Sequence, residues 1–137
     1  MNKENLPEIV LGIIKNKNSE VLVVQRVKEE KGTEGVKLSW AFPGGKAEDE
    51  TKDDAVKREL LEETGYEVRV ISIISERVHP QFPVYIYYFR CELESEVQKE
   101  KPHDEEIREI RWIKVEDLQN YFTTNLDSKV AEYLGIK

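Results

Sequence analysis

The stretch Thr51 to Gly65, TKDDAVKRELLEETG, constrains this chain most, because both ends of a helix are written into it. Thr51 supplies a capping hydroxyl, with Asp54 three residues on in the capping-box position. Gly65 supplies the left-handed residue that commonly closes a helix. At about 100° per residue, Val56, Leu60, Leu61 and Thr64 fan toward a core, while Glu59, Glu62 and Glu63 share about a third of the circumference above Ala55. A helix so divided needs an apolar surface to lie on and something cationic to face.

The carboxylate face costs stability. Like charges at i,i+3 and i,i+4 destabilise by about 0.2–0.5 kcal/mol per pair. Acids in the last turn oppose the helix dipole by about 0.3–1 kcal/mol each. Local conflicts of this kind concentrate at functional sites. Hard oxygen ligands at this spacing suit Mg²⁺, whose shell is completed by substrate phosphates and water. Arg58, four residues before Glu62, offers the competing account of an ion-paired, solvated face. The preceding Phe42-Pro43-Gly44-Gly45 turn argues for a site, since paired glycines let bare backbone approach a ligand.

At these residues the sequence resembles the Nudix hydrolases, and within them the MutT-like nucleoside triphosphate pyrophosphohydrolases. The signature G-x5-E-x7-R-E-U-x-E-E-x-G-U, with U bulky and apolar, is met by Gly44, Glu50, Arg58, Glu59, Leu60, Glu62, Glu63, Gly65 and Tyr66. Two departures stand out. Counted from Gly45, the second glycine of the pair and the usual starting point, the loop to Glu50 is one residue short. Tyr66 also stands where an aliphatic residue is usual.

The resemblance implies a Nudix α/β/α sandwich with a mixed β-sheet, whereas the pattern of elements alone gives only α/β or α+β. It implies Mg²⁺, with Mn²⁺ as a substitute, held by Glu59, Glu62, Glu63, the Gly44 carbonyl and a further carboxylate from the loop before the last strand. Glu106 is the choice for that carboxylate, with Glu105 next. Glu59 and Glu106 are the two candidates for the general base, and Arg58 orients the carboxylates. Arg26, at a strand end, and Lys46, directly after the glycine pair, are expected to meet substrate phosphates. Asn125 occupies a place where some relatives read a purine edge, for which its amide offers both a donor and an acceptor.

The reaction implied is metal-dependent hydrolysis of a nucleoside triphosphate, oxidised guanine nucleotides included, to a monophosphate and pyrophosphate. ADP-ribose, nucleotide sugars and dinucleoside polyphosphates are the alternatives within the family. A nucleotide-sensing domain without turnover is the alternative of another class, and its usual loss of signature glutamates is not seen here.

The 137 residues suit one domain, 1–137, with a real core. No apolar run approaches the length needed to span a membrane, and the polar start lacks a signal-peptide pattern. One cysteine, Cys91, fits a reduced, cytoplasmic protein and a small buried residue. A net charge of −7 argues against long nucleic acid as a partner. A small nucleotide held through a metal and local cations remains compatible, and a homodimer is left open.

Around the helix, residues 8–14 and 20–27 read as a strand pair joined by a turn at 15–19. Residues 28–37 read as a mobile polar loop bordering the pocket. Residues 66–75 and 84–93 read as strands, as does the run ending at Trp112. Residues 115–121 and 128–134 read as short closing helices. Trp40 is expected to pack beneath the glycine turn. His79 and Phe82, in the loop before residue 84, are near enough in sequence to touch a base.

Overall fold

The computed structural model describes residues 5–35 and 37–136. Its strands form two sheets. The first is four-stranded and mixed, in the order β4 (Gly44–Lys46), β1 (Glu8–Ile13), β6 (Tyr85–Leu93), β5 (Val68–Val78). Within it β1 runs parallel to β6 and antiparallel to β4, so that Leu11 sits between Gly44 and Tyr88. The second is three-stranded and antiparallel, in the order β3 (Lys37–Ala41), β2 (Glu20–Lys31), β7 (Ile107–Lys114).

Two apolar clusters fix helices on opposite sides of the strands. Val10, Ile14, Leu22, Phe89 and Cys91 pack with Ala55, Val56 and Leu60 of α1 (Lys52–Thr64). Ile13, Val23, Ile86, Tyr88 and Ile113 pack with Leu118 of α2 (Leu118–Tyr121) and with Val130 and Leu134 of α3 (Ser128–Leu134). The strand period of two separates these sets, since successive side chains leave opposite faces. Gly12 leaves room on the α1 side, because a Cβ there would lie 2.6 Å from Leu60 Cδ2. Leu60 is fully buried, and that burial stabilises by about 1.5–3 kcal/mol.

Four sequence expectations are corrected. The strands at 8–14 and 20–27 meet through the turn, where Lys15 bridges Val21, but then part into different sheets. β1 is already flanked by β4 and β6, so β2 pairs with β3 and β7. The polar stretch after Val27 is not a loop throughout: β2 runs to Lys31, a 3₁₀ turn covers Thr33–Gly35, and Lys31 pairs with Lys37. Backbone pairing carries that extension whatever the side chains. The part of the expected loop at Val36 lies outside the described residues. Finally, β5 extends to Val78, with register shifts between Val70 and Ser72 and between Ile73 and Ser75 that blur its alternation. Residues 115–121 divide into a 3₁₀ turn and a single α turn.

Candidate active site

The helix ends form as the sequence dictates. Thr51 Oγ1 accepts from Asp54 N at 3.1 Å, and Gly65 closes α1 at φ 77°. The helix is presented to β4 across a glycine contact: a Cβ on Gly45 would lie 2.6 Å from the Glu59 carboxylate. Gly44, at φ 152°, lies so close to the Val10 carbonyl and Leu11 backbone that no side chain fits there. Paired glycines therefore let the strand backbone and the helix carboxylates share one space.

The three expected helix carboxylates have different surroundings. Glu63 is only 2% exposed, and its Oε1 accepts from Gly44 N at 2.8 Å. Burial pushes its carboxyl up to about 8 against the opposing pull of that hydrogen bond and of Arg26. Glu59 is also raised by burial, partly offset by Arg58. Glu62 is half-buried. Glu59, Glu62 and Asp104 each offer a carboxylate oxygen, and the three oxygens lie within 4.8 Å of one another. Asp104 was not chosen from the sequence. The acidic run 104–106 offered three carboxylates, and only the loop's path selects among them.

Glu106, the sequence choice, is placed differently. Its side chain is 79% exposed and its Oε2 lies 3.8 Å from Arg26 Nη1. Arg26 itself is largely buried in the cavity wall, and its Nε has no hydrogen-bond partner among the described residues. Lys46 is exposed at the cavity edge, and its backbone carbonyl accepts from Arg58 at 3.4 Å.

Arg58 gathers the acids. Its Nη2 donates to Glu50 Oε1 at 2.6 Å, and its Nη1 donates to Glu59 Oε1 at 3.0 Å and to Glu62 Oε2 at 3.4 Å. The hydrogen bonds from Arg58 hold the Glu50 carboxyl below its usual range. The shortened loop thus still delivers Glu50 to the arginine, where it neutralises charge and orients the guanidinium. Such charge-assisted pairs are geometrically directive.

Arg58, Glu59, Glu62, Glu63 and Asp104 line a cavity of about 710 Å³. Apolar walls come from Ile9, Leu11, Phe42, Phe82 and Ile86, and Asn125 lies in the wall with Thr124. Asn125 is tied at three points. Its Oδ1 accepts from Arg77 Nη1 at 2.7 Å, its carbonyl accepts from Arg77 Nη2 at 3.1 Å, and its N–H donates to Gln81 Oε1 at 2.7 Å. Arg77 thus takes up one of the two lone pairs of Oδ1 and fixes how the amide is turned. Trp40 packs edge-on against Tyr121 at 5.2 Å, in keeping with a supporting role. Cys91 is buried and its thiol pushed up to about 12 by desolvation, which suits an inert core residue.

The donor set fits a divalent cation. Three clustered carboxylate oxygens and two carboxyls raised by burial are costly alone and are relieved by a hard cation. Among the described residues no helix is long and apolar enough to cross a membrane.

Comparison with known proteins agrees with this architecture. The chain is 39% identical over 85 residues to the 8-oxo-dGTP diphosphatase of Proteus vulgaris, covering 61% of this chain and 70% of that one. It is 34% identical over 103 residues to a Caenorhabditis elegans protein assigned to the nudix hydrolases, covering 74% of this chain but 26% of that longer protein. The chain thus spans about a quarter of that relative's length. An ADP-ribose pyrophosphatase structure from Streptococcus suis superposes with a TM-score of 0.71 at 21% identity, covering 96% of this chain and 91% of that one, and so shares the fold. The family model described as the NUDIX domain matches residues 6–134. A match of that length takes in both sheets and the closing helices as well as the signature helix, and this chain accordingly belongs to the NUDIX family.

Proposed function

We propose that this chain hydrolyses a nucleoside triphosphate to the monophosphate and pyrophosphate, with an oxidised guanine nucleotide as the first substrate to test. The observation that carries the reading is the convergence of Glu59, Glu62 and Asp104 in the wall of a cavity that also has apolar sides. The 8-oxo-dGTP diphosphatases of Proteus vulgaris and Escherichia coli, 39% and 36% identical over the aligned stretches, support the choice of substrate.

Glu59, Glu62 and Asp104 would hold Mg²⁺ or Mn²⁺, with Glu63 and the Gly44 backbone beside them. Bound there, the ion would supply charge neutralisation on the diphosphate and a more acidic attacking water. The chain's own groups do the rest. Arg58 fixes one oxygen of Glu59 and leaves Oε2 to face the ion, and the proton of the attacking water passes to Glu59 or to Glu106, the two candidate bases. Lys46 and Arg26 attract phosphate oxygens, and Glu106 steadies Arg26 from outside the cluster.

The test is a screen for pyrophosphate or nucleoside monophosphate release over 8-oxo-dGTP, the ordinary nucleoside triphosphates, ADP-ribose, nucleotide sugars and dinucleoside polyphosphates, with Mg²⁺, Mn²⁺ or chelator. Metal-dependent release from 8-oxo-dGTP, lowered about 10²–10⁴-fold by Glu59→Gln, supports the proposal. Full activity in chelator, or in Glu59→Gln, sinks it.

A further inference from the structure

His79 has no assigned part in this chemistry, yet the loop around it is built to hold one state of its ring. The residue is 9% exposed and lies in the cavity wall. Its Nδ1 accepts from Gln81 N at 2.9 Å, so the neutral ring carries its proton on Nε2. His79 N donates to the Val84 carbonyl at 3.0 Å, and the ring meets Phe82 edge-on at 5.2 Å.

Gln81, the residue that selects the tautomer, is itself fixed from two sides. Its carbonyl accepts from Thr33 N at 3.0 Å, and its Oε1 accepts from Asn125 N at 2.7 Å. Gly32 permits this approach, since a Cβ there would lie 2.6 Å from the Gln81 carbonyl oxygen. Three segments of chain thus converge to orient one imidazole. No described residue accepts a hydrogen bond from His79 Nε2, so the ring keeps one donor in reserve.

We propose that His79 contacts the substrate, donating from Nε2–H to an uncharged acceptor on the nucleoside portion of the bound nucleotide. This rests on the reading that the cavity takes a nucleotide. The ring is suited to the nucleoside and not to the phosphates, because burial and the nearby charge of Arg77 push its pKa down to about 4 and leave it neutral. The cations Lys46 and Arg26 stand with the carboxylates, whereas His79 neighbours Arg77, which holds Asn125. His79, Phe82 and Asn125 all line the cavity, with Gln81 bonded to both His79 and Asn125, and the fixed Nε2–H rewards a carbonyl oxygen or ring nitrogen and penalises an amino group where it meets the ligand.

Two substitutions separate contact with substrate from support of the loop. His79→Asn places an amide oxygen near the position of Nδ1 and keeps the bond from Gln81, but it does not reach as far as Nε2. His79→Gln extends an amide to the position of Nε2 and restores a donor. Both full-length variants are assayed for hydrolysis of 8-oxo-dGTP, and for calorimetric binding of 8-oxo-dGMP and inorganic pyrophosphate in Mg²⁺. For His79→Asn we expect KM and the 8-oxo-dGMP Kd to rise about ten-fold, the loss of roughly one hydrogen bond. We expect kcat and pyrophosphate binding to change less than about two-fold on the same reasoning, and His79→Gln to recover most of the loss. Unaltered KM and Kd in His79→Asn overturn the His79 proposal and leave the hydrolase reading standing. Monophosphate binding weakened in His79→Asn, with no turnover in the unmodified chain, keeps the contact and overturns the hydrolase reading. No binding and no turnover in the unmodified chain overturn both.

Discussion

Glu63→Gln isolates the cost of burying a charge under the glycine turn. Glu63 is nearly inaccessible, and its carboxyl stands at about 8 in the fold against 4.5 as a free side chain. A raised acid pKa means that the folded state binds the proton more tightly than the unfolded state. Its contribution to stability is therefore complete below about pH 4.5 and is lost as pH rises through about 8. At about 1.36 kcal/mol per pH unit, the metal-free protein loses about 3 kcal/mol by pH 7 and about 5 kcal/mol above pH 8. Glutamine keeps the oxygen that accepts the Gly44 N–H and never ionises. In chelator the variant should match the unmodified protein near pH 5 and exceed its Tm by roughly 10 °C at pH 7. Added Mg²⁺ should close that gap by stabilising the glutamate form, following RT ln(1 + [L]/Kd). Thermal melts from pH 5 to 8.5, with and without Mg²⁺, check this. Parallel curves for the two proteins in chelator would refute the buried-charge argument.

The two loop carboxylates should behave differently in a Mn²⁺ titration: Asp104→Asn weakens binding about ten-fold or more, and Glu106→Gln changes it by less than about two-fold. Equal effects would dissolve the distinction drawn from their positions. Gly45→Ala pushes a methyl group into the Glu59 carboxylate without violating the local backbone, so kcat should fall about 10–100-fold while Tm moves little. The depressed His79 pKa means that stability is whole above about pH 6.5 and falls as pH drops toward about 4. Urea unfolding in chelator should show His79→Asn gaining about 1–2 kcal/mol on the unmodified protein between pH 7 and pH 5, the contribution of Glu63 being common to both.

Much of the site was legible because its logic is local. A helix period places Glu59, Glu62 and Glu63 near one another whatever the surrounding fold, and Thr51 and Gly65 mark the ends of that helix by their own chemistry. Arg58 could be assigned to the carboxylates because four residues make one helical turn, and Cys91 to the core because it stands in an apolar run. The closing helix Ser128–Leu134 likewise follows from its own pattern.

Tertiary structure decided what depends on the path of the chain between elements. Which of Asp104, Glu105 and Glu106 reaches Glu59 is a matter of how one loop crosses the sheet edge, and adjacent residues in a loop have no period to choose among them. The division of the first two strands between sheets arose because β1 already had a neighbour on each side. Asn125 is oriented only through Arg77, 48 residues away, and His79 acquired a single tautomer only through Gln81, itself held by Thr33 and Asn125. The sequence by itself determined the helix, its caps and the signature acids, since these act over a few residues. The depth at which Glu63 is buried, the partner of Arg26 and the hydrogen bonds around His79 and Asn125 were set by contacts between distant segments, which hydrogen-bond geometry resolves only once the chain has folded.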